Sequence, residues 1–361
     1  METTLFLFGE ALIDDVVLRR YILRHLSAVG RRPRRRFESE RPEHAFLSEL
    51  DTSRTRGEVF IFCTEEQVSL VTRELCSFFD DVVTTHDERI VPSKAKPVRT
   101  GYYRLDNLHV LTVYPGYDLP ALEVNAAQND TARTLHFFDY DPDALASALK
   151  TASATYRVTH RLCEPVRGWF RCRLDGGRFG DVEGMHRHLQ TLFPACVAAD
   201  DFAAWLIAAL EAEQKTITFA ESCTGGLLSS YLTAKSGSSA VFEGALVTYS
   251  NRLKSAWIAV EESTLETHGA VSAETVEEMS LGALEVAGAD YAVAVSGIAG
   301  PTGAVPGKPV GTVYVAVRSK NAVNVERLQL HGDRNYIQEQ TVLAALKMLL
   351  MLDRKTFFKI S

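Results

Sequence analysis

The amino-acid sequence predicts an α/β protein whose C-terminal part is a three-layer α/β domain with a mixed β-sheet. From residue 200 onward, short β-branched or apolar runs alternate with runs of helical spacing, which is the order of a sheet covered by helices. Two consecutive predicted strands, Val310–Val317 and Val323–Leu330, are joined by a short polar turn, as in a hairpin. A hairpin pairs its strands in opposite directions, so we expect both strand directions in this sheet.

Three domains are expected, over residues 1–125, 126–198 and 199–361. The clearest boundary is Ala198–Asp201, because Asp200 or Asp201 can cap the helix predicted over Phe202–Gln214. The remaining predicted elements of the last domain are strands 216–219, 241–249 and 291–296 and helices 224–235, about 272–287 and 334–352.

The first 125 residues are expected to form another α/β domain. Val59–Cys63 is rich in β-branched and aromatic residues, which favours a buried strand, and the helical spacing of Glu65–Phe79 follows it directly. Other elements are expected at 4–8 (strand), 16–29 (helix) and 100–104 with 108–113 (hairpin).

The middle segment is expected to form a small α+β unit. Asp141-Pro142 begins a helix that runs to Thr151, because proline is tolerated in the first turn of a helix. The other expected elements of this unit are strands 131–138, 156–163 and 168–174 and a helix over 182–193.

Composition excludes several classes of partner and site. The net charge of −7 gives no overall attraction to nucleic acid or anionic membranes. The arginine run Arg31–Arg36 is followed at once by glutamates, so we expect a solvated loop there. Six cysteines without a C-x-x-C pair argue against a zinc site and fit a reducing cytoplasm. No apolar stretch has transmembrane length and no signal peptide is recognised, so a cytoplasmic protein without membrane contact is expected.

Three polar loops each follow a predicted strand of the last domain. These loops are Glu221–Gly226, Tyr249–Lys254 and the glycine-rich Ser296–Gly303. Sites in α/β sheets form beyond the carboxyl ends of strands, so we expect the three loops to converge. The glycines of the third loop suggest backbone packed against a ligand, and a surface crossing is the alternative.

The first two loops offer a nucleophile and a base. Ser222 or Cys223 at the start of a helix suits an anion or a developing oxyanion, although serine there can also be an ordinary helix cap. Lys254 is a candidate base if its pKa is lowered, and a solvated lysine is the alternative. His268 and His331 are the only histidines of this domain, so a Ser–His–Asp triad would need one of them brought in.

Five ordered motifs over about residues 200–355 resemble the CinA C-terminal domain, a nicotinamide-nucleotide amidohydrolase of the competence/damage-inducible family. These motifs are residues 220–226, 248–251 with Lys254, 297–301, 308–313 and 332–334. The resemblance implies a Ser/Lys amidohydrolase that deamidates nicotinamide mononucleotide, with Ser222 as nucleophile and Lys254 as general base. Tyr249 and Ser296 then assist the reaction.

The resemblance also implies the substrate contacts and the partners. Backbone N–H groups near Thr224–Gly226 are expected to hold the oxyanion. Gln338 stands where the family often has a second arginine four residues after Arg334. No metal and no cofactor are expected, the partner is a small-molecule nucleotide, direct nucleic-acid binding is not expected, and a homodimer is implied. The implied substrate-binding residues are Glu221, Thr224, Gly225, Gly226, Asn251, Gly300 and Arg334.

The first 198 residues are similar to the rest of a full-length CinA protein only in part. Phe8–Leu12 and Lys96–Gly101 are similar to segments of its molybdopterin-binding-like domain, which implies a degenerate version of that fold. Thr64–Gln67 replaces the glycine- and aspartate-rich loop that binds phosphate and metal in that domain, so pyrophosphatase activity is expected to be lost. Residues 126–198 resemble the family's KH-like linker domain. The functions left open as alternatives are a catalytically silent nucleotide-binding or regulatory module and a DNA-uptake or repair factor.

Overall fold

The computed structural model describes residues 2–42, 44–124 and 132–359 of the chain. These residues fold as two compact units, Met1–Asp130 and Thr131–Ser361. Each unit contains a sheet with both strand directions and flanking helices, which confirms the α/β class and the mixed sheet. The predicted division of the second unit between residues 198 and 199 stays a prediction.

The first unit has a six-stranded sheet in the order β2-β1-β3-β8-β7-β6 and a separate hairpin of β4 and β5. The strands β1, β2, β3 and β8 run parallel, and β7 and β6 are antiparallel additions. The strands are β1 (Glu2–Phe8), β2 (Arg35–Ser39), β3 (Gly57–Thr64), β4 (Val83–His86), β5 (Arg89–Pro92), β6 (Lys96–Arg99), β7 (Tyr102–Leu105) and β8 (Leu108–Val113). The helices are α1 (Glu10–Asp14), α2 (Val16–Ala28), α3 (His44–Arg54) and α4 (Glu65–Phe78).

The arginine run of this unit is not a solvated loop throughout. Arg35 and Arg36 begin β2 and pair with β1 in parallel register. Arg31 is buried and its side chain bonds the buried carboxylate of Glu58. Arg36 and Glu38 are exposed whereas Arg35, Phe37 and Ser39 are partly buried, as expected for an edge strand, in which every second side chain faces solvent.

The N-terminal part of the second unit has a four-stranded antiparallel sheet in the order β10-β11-β9-β12. Tyr156 ends a helix here and does not begin a strand as expected, because Arg157 adopts a left-handed conformation with φ 56° that stops the helix. The elements are β9 (Ala132–Phe138), α5 (Pro142–Tyr156), β10 (Thr159–Val166), β11 (Trp169–Asp175), α6 (Val182–Leu192) and β12 (Cys196–Ala198).

The C-terminal part of this unit is built on a five-stranded sheet in the order β14-β13-β15-β16-β17. The strands β14, β13 and β15 are parallel, whereas β16 and β17 form the expected hairpin and run antiparallel to their neighbours. The strands are β13 (Ile217–Glu221), β14 (Phe242–Val247), β15 (Tyr291–Gly297), β16 (Thr312–Ser319) and β17 (Val323–Gln329). The helices are α7 (Phe202–Ala212), α8 (Leu227–Thr233), α9 (Asn251–Ile258), α10 (Glu262–His268), α11 (Ala273–Ala287), α12 (Arg334–Leu352) and α13 (Arg354–Phe358).

The two faces of this sheet carry side chains of different size. Phe219, Val293 and Val295 lie in the core shared with α7, α8 and α12, whereas Ala220 and Ala294 lie in the core shared with α11. The alternation follows from the period of two along a strand. Helices on both faces make the three layers, and the parallel strands β13, β14 and β15 end at one edge of the sheet, where their following loops meet.

No helix among residues 2–42, 44–124 and 132–359 combines the length and the apolar character needed to cross a membrane.

Candidate active site

Ser222 lies directly after β13, in the turn that leads into α8. Its backbone N–H donates to the carbonyl of Val295 at 3.0 Å, which ties the turn to the neighbouring strand β15. Gly225 and Gly226 follow with φ of 58° and 102°, a left-handed conformation that glycine adopts without strain. The turn therefore presents the Ser222 hydroxyl, which is 8% exposed, at the edge where the parallel strands end.

Lys254 lies one turn inside α9 and reaches back toward Ser222. Ser250 caps this helix by accepting a hydrogen bond from the Leu253 amide, and side chains on a helix point toward its N-terminus. The Lys254 Nζ consequently lies 3.0 Å from Ser222 Oγ and donates to the Thr248 carbonyl at 2.8 Å. A longer contact of 3.5 Å joins Nζ to the Tyr249 carbonyl.

Burial changes the acid–base properties of this lysine. Lys254 is 0% exposed, so the alternative interpretation that it is a solvated surface lysine is wrong. Removal of the ammonium from water disfavours the charged form and lowers the pKa of Lys254 to about 8, although the nearby Cys223 acts weakly in the opposite direction. A lysine with this pKa is neutral in about a tenth of molecules at pH 7, far more than an ordinary lysine, and the neutral form can accept a proton.

An open cleft of about 320 Å³ runs beside these two residues. All three predicted loops contribute to its wall, together with the turn before α11. Its lining residues are Ser222, Cys223, Tyr249, Lys254, Ala270, Val271, Ser296, Gly297, Ile298, Ala299, Gly300, Thr302, Gly303 and Arg334. Neither His268 nor His331 lines it, so the cleft holds no Ser–His pair among the residues that the structure describes.

Ser296 faces the cleft from the end of β15. Its side chain is 1% exposed, and its hydroxyl donates to the Ala270 carbonyl at 2.6 Å. This bond joins β15 to the turn before α11. Gly297, the next residue, packs so closely on β16 that an added Cβ would meet Val313 Cγ2 at 2.7 Å, so close packing within the protein itself explains this glycine.

Arg334 and Tyr249 meet at the opening of the cleft. The Arg334 guanidinium donates from Nη1 to the Gly300 carbonyl at 2.6 Å and from Nη2 to the Tyr249 hydroxyl at 2.9 Å. Arg334 is the first residue of α12, where Asp333 caps the helix. The pair links the second and third loops and leaves part of a planar cation facing the cleft.

Five of the residues expected to contact substrate do not line the cleft. Asn251 is exposed at the start of α9. The other four belong to the turn after β13 and are Glu221, Thr224, Gly225 and Gly226.

Glu221 is fully buried, and its carboxylate accepts hydrogen bonds from residues at the start of α8. Its Oε2 accepts from the Thr224 hydroxyl at 2.7 Å and from the Gly226 and Leu228 amides at 3.0 Å each. Its Oε1 accepts from the amide and the hydroxyl of Ser229. A carboxylate has about four acceptor positions, so five donors leave none for a substrate. Glu221 instead satisfies the free N–H groups of the helix.

The backbone amides of the turn differ in their freedom to bind an oxyanion. The Gly225 amide donates to the Ser222 carbonyl at 3.2 Å and the Gly226 amide to Glu221. The amides of Cys223 and Thr224 have no carbonyl or side-chain oxygen of the described chain as acceptor. Of these two amides, that of Thr224 belongs to the range expected to hold the oxyanion, and oxyanion binding by this turn stays a prediction.

Cys223 is the other sequence-predicted nucleophile, but it belongs to the hydrophobic core. It packs in the same cluster as Phe219 and Leu228, and burial raises the pKa of its thiol to about 12. A thiol with this pKa is protonated near neutral pH and is a poor nucleophile.

Three contributions to the site were not anticipated as such from the sequence. They are the Thr248 carbonyl that binds Lys254, the Ala270 carbonyl that binds Ser296, and the Gln338 side chain, which donates from Nε2 to the Cys223 carbonyl at 2.6 Å. Two of them are backbone groups, which no residue type reveals. The sequence draws attention to Gln338, one turn after Arg334 on the same helical face, but does not predict its bond to the Cys223 carbonyl.

The chain is similar in sequence to a family of known proteins. Residues 199–352 match the family model described as the CinA C-terminal domain. A CinA-like protein of Prochlorococcus marinus (strain AS9601) is 46% identical over 157 residues, which are 42% of this chain and 37% of that protein. A crystal structure of the competence/damage inducible protein CihA from Agrobacterium tumefaciens is 41% identical, with a TM-score of 0.41 over 42% of this chain and 93% of that one.

This chain spans less than half the length of the first curated relatives that it matches. The match covers 37% of one of them and 41% of another. The nicotinamide-nucleotide amidohydrolase PncC of Escherichia coli (strain K12) is shorter and is 49% identical over 142 residues, which are 39% of this chain and 86% of that protein. Because this match extends over most of the relative, the chain belongs to the CinA family through its C-terminal domain.

Proposed function

We propose that this chain is an amidohydrolase that converts nicotinamide mononucleotide to nicotinate mononucleotide and ammonia. The observation that carries the proposal is the 3.0 Å separation of Lys254 Nζ and Ser222 Oγ, with the lysine fully buried. The substrate is suggested by the name of the relative that matches over 86% of its length. The proposed partner is this small nucleotide, and the homodimer implied by the family is likewise a proposal.

Neutral Lys254 is oriented to act as the general base. A neutral amine has two N–H groups and one lone pair. The Thr248 and Tyr249 carbonyls lie 2.8 Å and 3.5 Å from Nζ and accept its N–H groups, which leaves the lone pair for the Ser222 hydroxyl proton. Ser222 Oγ then attacks the carboxamide carbon while its proton passes to Nζ.

The tetrahedral intermediate then collapses to an acyl-enzyme. Negative charge develops on the former carbonyl oxygen, and the amides of Cys223 and Thr224, which have no oxygen acceptor in the described chain, are the proposed donors to it. Protonated Lys254 returns its proton to the departing nitrogen, so ammonia leaves and an ester to Ser222 remains. Water attacks this ester, gives a proton to Lys254, and releases the carboxylic acid product as Ser222 recovers its proton.

The cleft supplies the contacts that orient the substrate. Arg334 is proposed to contact the phosphate or ribose of the nucleotide, because a guanidinium matches phosphate oxygens in a bidentate manner. Tyr249 holds that guanidinium, and Ser296 and the Gly300 carbonyl stabilise the loops that form the wall. Glu221 is proposed to position Ser222 through α8 and not to bind substrate.

Ammonia release from nicotinamide mononucleotide tests the proposal on the full chain. Ser222→Ala and Lys254→Met are expected to lose more than about a thousandfold in kcat, as removal of a nucleophile or its base does in related mechanisms. Matched controls are Ser230→Ala, an exposed serine of α8, and Lys150→Met, an exposed lysine of α5, which should retain parental activity.

The same assay distinguishes the alternative of a silent nucleotide-binding module. In that case the parent releases no ammonia, yet the nucleotide raises its melting temperature. Turnover that survives in Ser222→Ala would instead disprove the assigned nucleophile.

A further inference from the structure

We propose that Gln338 is a positioning residue that orients the oxyanion-binding amide of Thr224. This inference rests on the proposed function, because it assumes that Ser222 attacks a carbonyl group. The sequence resemblance associates this position with substrate binding. In the structure, however, the Gln338 amide donates from Nε2 to the Cys223 carbonyl at 2.6 Å, across 115 positions of sequence.

The placement of Gln338 follows from the helix that carries it. Arg334 and Gln338 are four residues apart in α12, so both side chains project from one face. Arg334 reaches the opening of the cleft and Gln338, half-buried one turn further on, reaches the turn after Ser222. One helix face thus contacts both the mouth of the cleft and the proposed oxyanion site.

Two carbonyl groups of the turn after Ser222 are held in place. Peptide units are planar and trans, so each C=O is antiparallel to the N–H of the next residue. The Gly225 amide holds the Ser222 carbonyl, which fixes the direction of the Cys223 N–H. Gln338 holds the Cys223 carbonyl, which fixes the direction of the Thr224 N–H. The two proposed oxyanion donors, the amides of Cys223 and Thr224, therefore each belong to a peptide unit whose carbonyl accepts a hydrogen bond.

The hydrogen bond that closes the turn does not fix the peptide unit that Gln338 holds. The Gly225 amide and the Ser222 carbonyl close a β-turn whose central peptide unit joins Cys223 to Thr224. This central unit is the one that rotates between turn types. Full inversion would need a positive φ at Thr224, which is unfavourable for a β-branched residue. Loss of Gln338 should therefore tilt the Thr224 N–H without inverting it, so we expect a partial loss of rate.

Gln338→Met and Gln338→Glu test the role of the side-chain donor. Methionine has a similar length and no N–H group, and glutamate places an acceptor against the Cys223 carbonyl. Removal of an oxyanion donor costs about a hundredfold or more in kcat, so a tilted donor should cost about tenfold, with KM changed less than about twofold. The glutamate variant should lose more, and Gln338→Lys, which restores a donor, should recover part of the loss.

The matched control is Gln340→Met in the same helix. Gln340 donates to the His331 and Tyr336 carbonyls, away from the turn, so its loss should leave kcat and KM unchanged. Melting temperatures of all variants separate a loss of rate from a loss of folding. An increase in KM at constant kcat for Gln338→Met would identify a substrate contact and overturn the proposal, as would unchanged kinetics.

A second substrate separates this inference from the proposed function. Acylation of Ser222 by p-nitrophenyl acetate, corrected with Ser222→Ala, forms a similar oxyanion without any nucleotide. Slower acylation in Gln338→Met supports the positioning role even if the parent releases no ammonia from nicotinamide mononucleotide, in which case only the nucleotide assignment fails. Acylation at the parental rate overturns the positioning role. No acylation of Ser222 in the parent overturns both the nucleophile and the role of Gln338.

Discussion

Lys254 and Ser222 are 32 positions apart in sequence, and their Nζ and Oγ atoms lie 3.0 Å from each other. Ser222 follows β13 and Lys254 belongs to the helix that follows the adjacent parallel strand β14. Because parallel strands end at the same edge of a sheet, their following loops meet there. The parallel pairing of β13 with β14 therefore brings the proposed nucleophile and its base together.

The pH dependence of turnover should report the lowered pKa of Lys254. Only the neutral amine can accept the Ser222 proton, so kcat/KM for nicotinamide mononucleotide should rise with pH and level off above about pH 8. Below that value, activity should fall about tenfold per pH unit. A rate profile measured from about pH 6 to about pH 9.5 that stayed flat would show that Lys254 is not the base.

Lys254→Met should change the pH dependence of stability in a defined direction. Between about pH 8 and 10.5 the unfolded parent carries a proton on Lys254 that the folded parent lacks, so its unfolding free energy rises with pH there. Relative to the methionine variant, the parent should gain about 3 kcal/mol across this window, since one pKa unit corresponds to about 1.4 kcal/mol and the pKa is lowered from 10.5 to about 8. Below about pH 8 the difference should be constant.

Urea unfolding of both proteins at several pH values measures this difference, because the other titrating groups are common to both and cancel. A parent that lost stability relative to Lys254→Met as pH rose from 8 to 10.5 would contradict a lowered pKa.

The sequence predicted the elements that are defined by long apolar patterns. The helix expected over residues 334–352 is observed over Arg334–Leu352, because Asp333 is a clear cap and no proline or glycine interrupts it. The helix α9 was not predicted, since eight residues with mixed polar character give little periodicity. This helix nevertheless determines where Lys254 points.

The site could be predicted from sequence only as far as residue types carry information. The motifs indicated Ser222 and Lys254, but the burial that lowers the lysine pKa depends on packing between distant segments. Glu221 illustrates the same limit, because its carboxylate could bind a substrate or a helix start, and only the fold decides in favour of the helix. Hydrogen bonds to backbone carbonyls, such as that of Gln338 to Cys223, leave no trace in composition.

Cys223→Ala should retain activity within a few-fold of the parent. The thiol is buried among apolar residues with its pKa raised to about 12, so we expect it to take no chemical part in the reaction. Removal of a small buried group should cost about 1 kcal/mol in stability, from lost packing. Ammonia release and thermal unfolding check both expectations, with the exposed Cys163→Ala as control. Abolished turnover in a folded Cys223→Ala protein would make the cysteine the nucleophile.

Glu221→Gln should destabilise the protein and slow turnover together. An amide offers one acceptor oxygen and one N–H₂ group, so two or three of the donors around the carboxylate lose their acceptor. Each buried donor left without a partner costs about 1–3 kcal/mol, so a total loss of at least about 2 kcal/mol is expected. The exposed Glu243→Gln of β14 is the matched control for urea unfolding and kinetics. A raised KM with unchanged stability would instead favour a substrate contact by Glu221.

The most direct test of the account is the identity of the covalent intermediate. The full chain is mixed with nicotinamide mononucleotide, quenched in acid within the first turnovers, digested, and examined by mass spectrometry. We expect the peptide that contains Ser222 to gain the mass of the substrate minus ammonia, with no such peptide from Ser222→Ala and strongly reduced labelling of Lys254→Met. An adduct on another residue, or ammonia release with undiminished rate by Ser222→Ala, would contradict the Ser222–Lys254 mechanism.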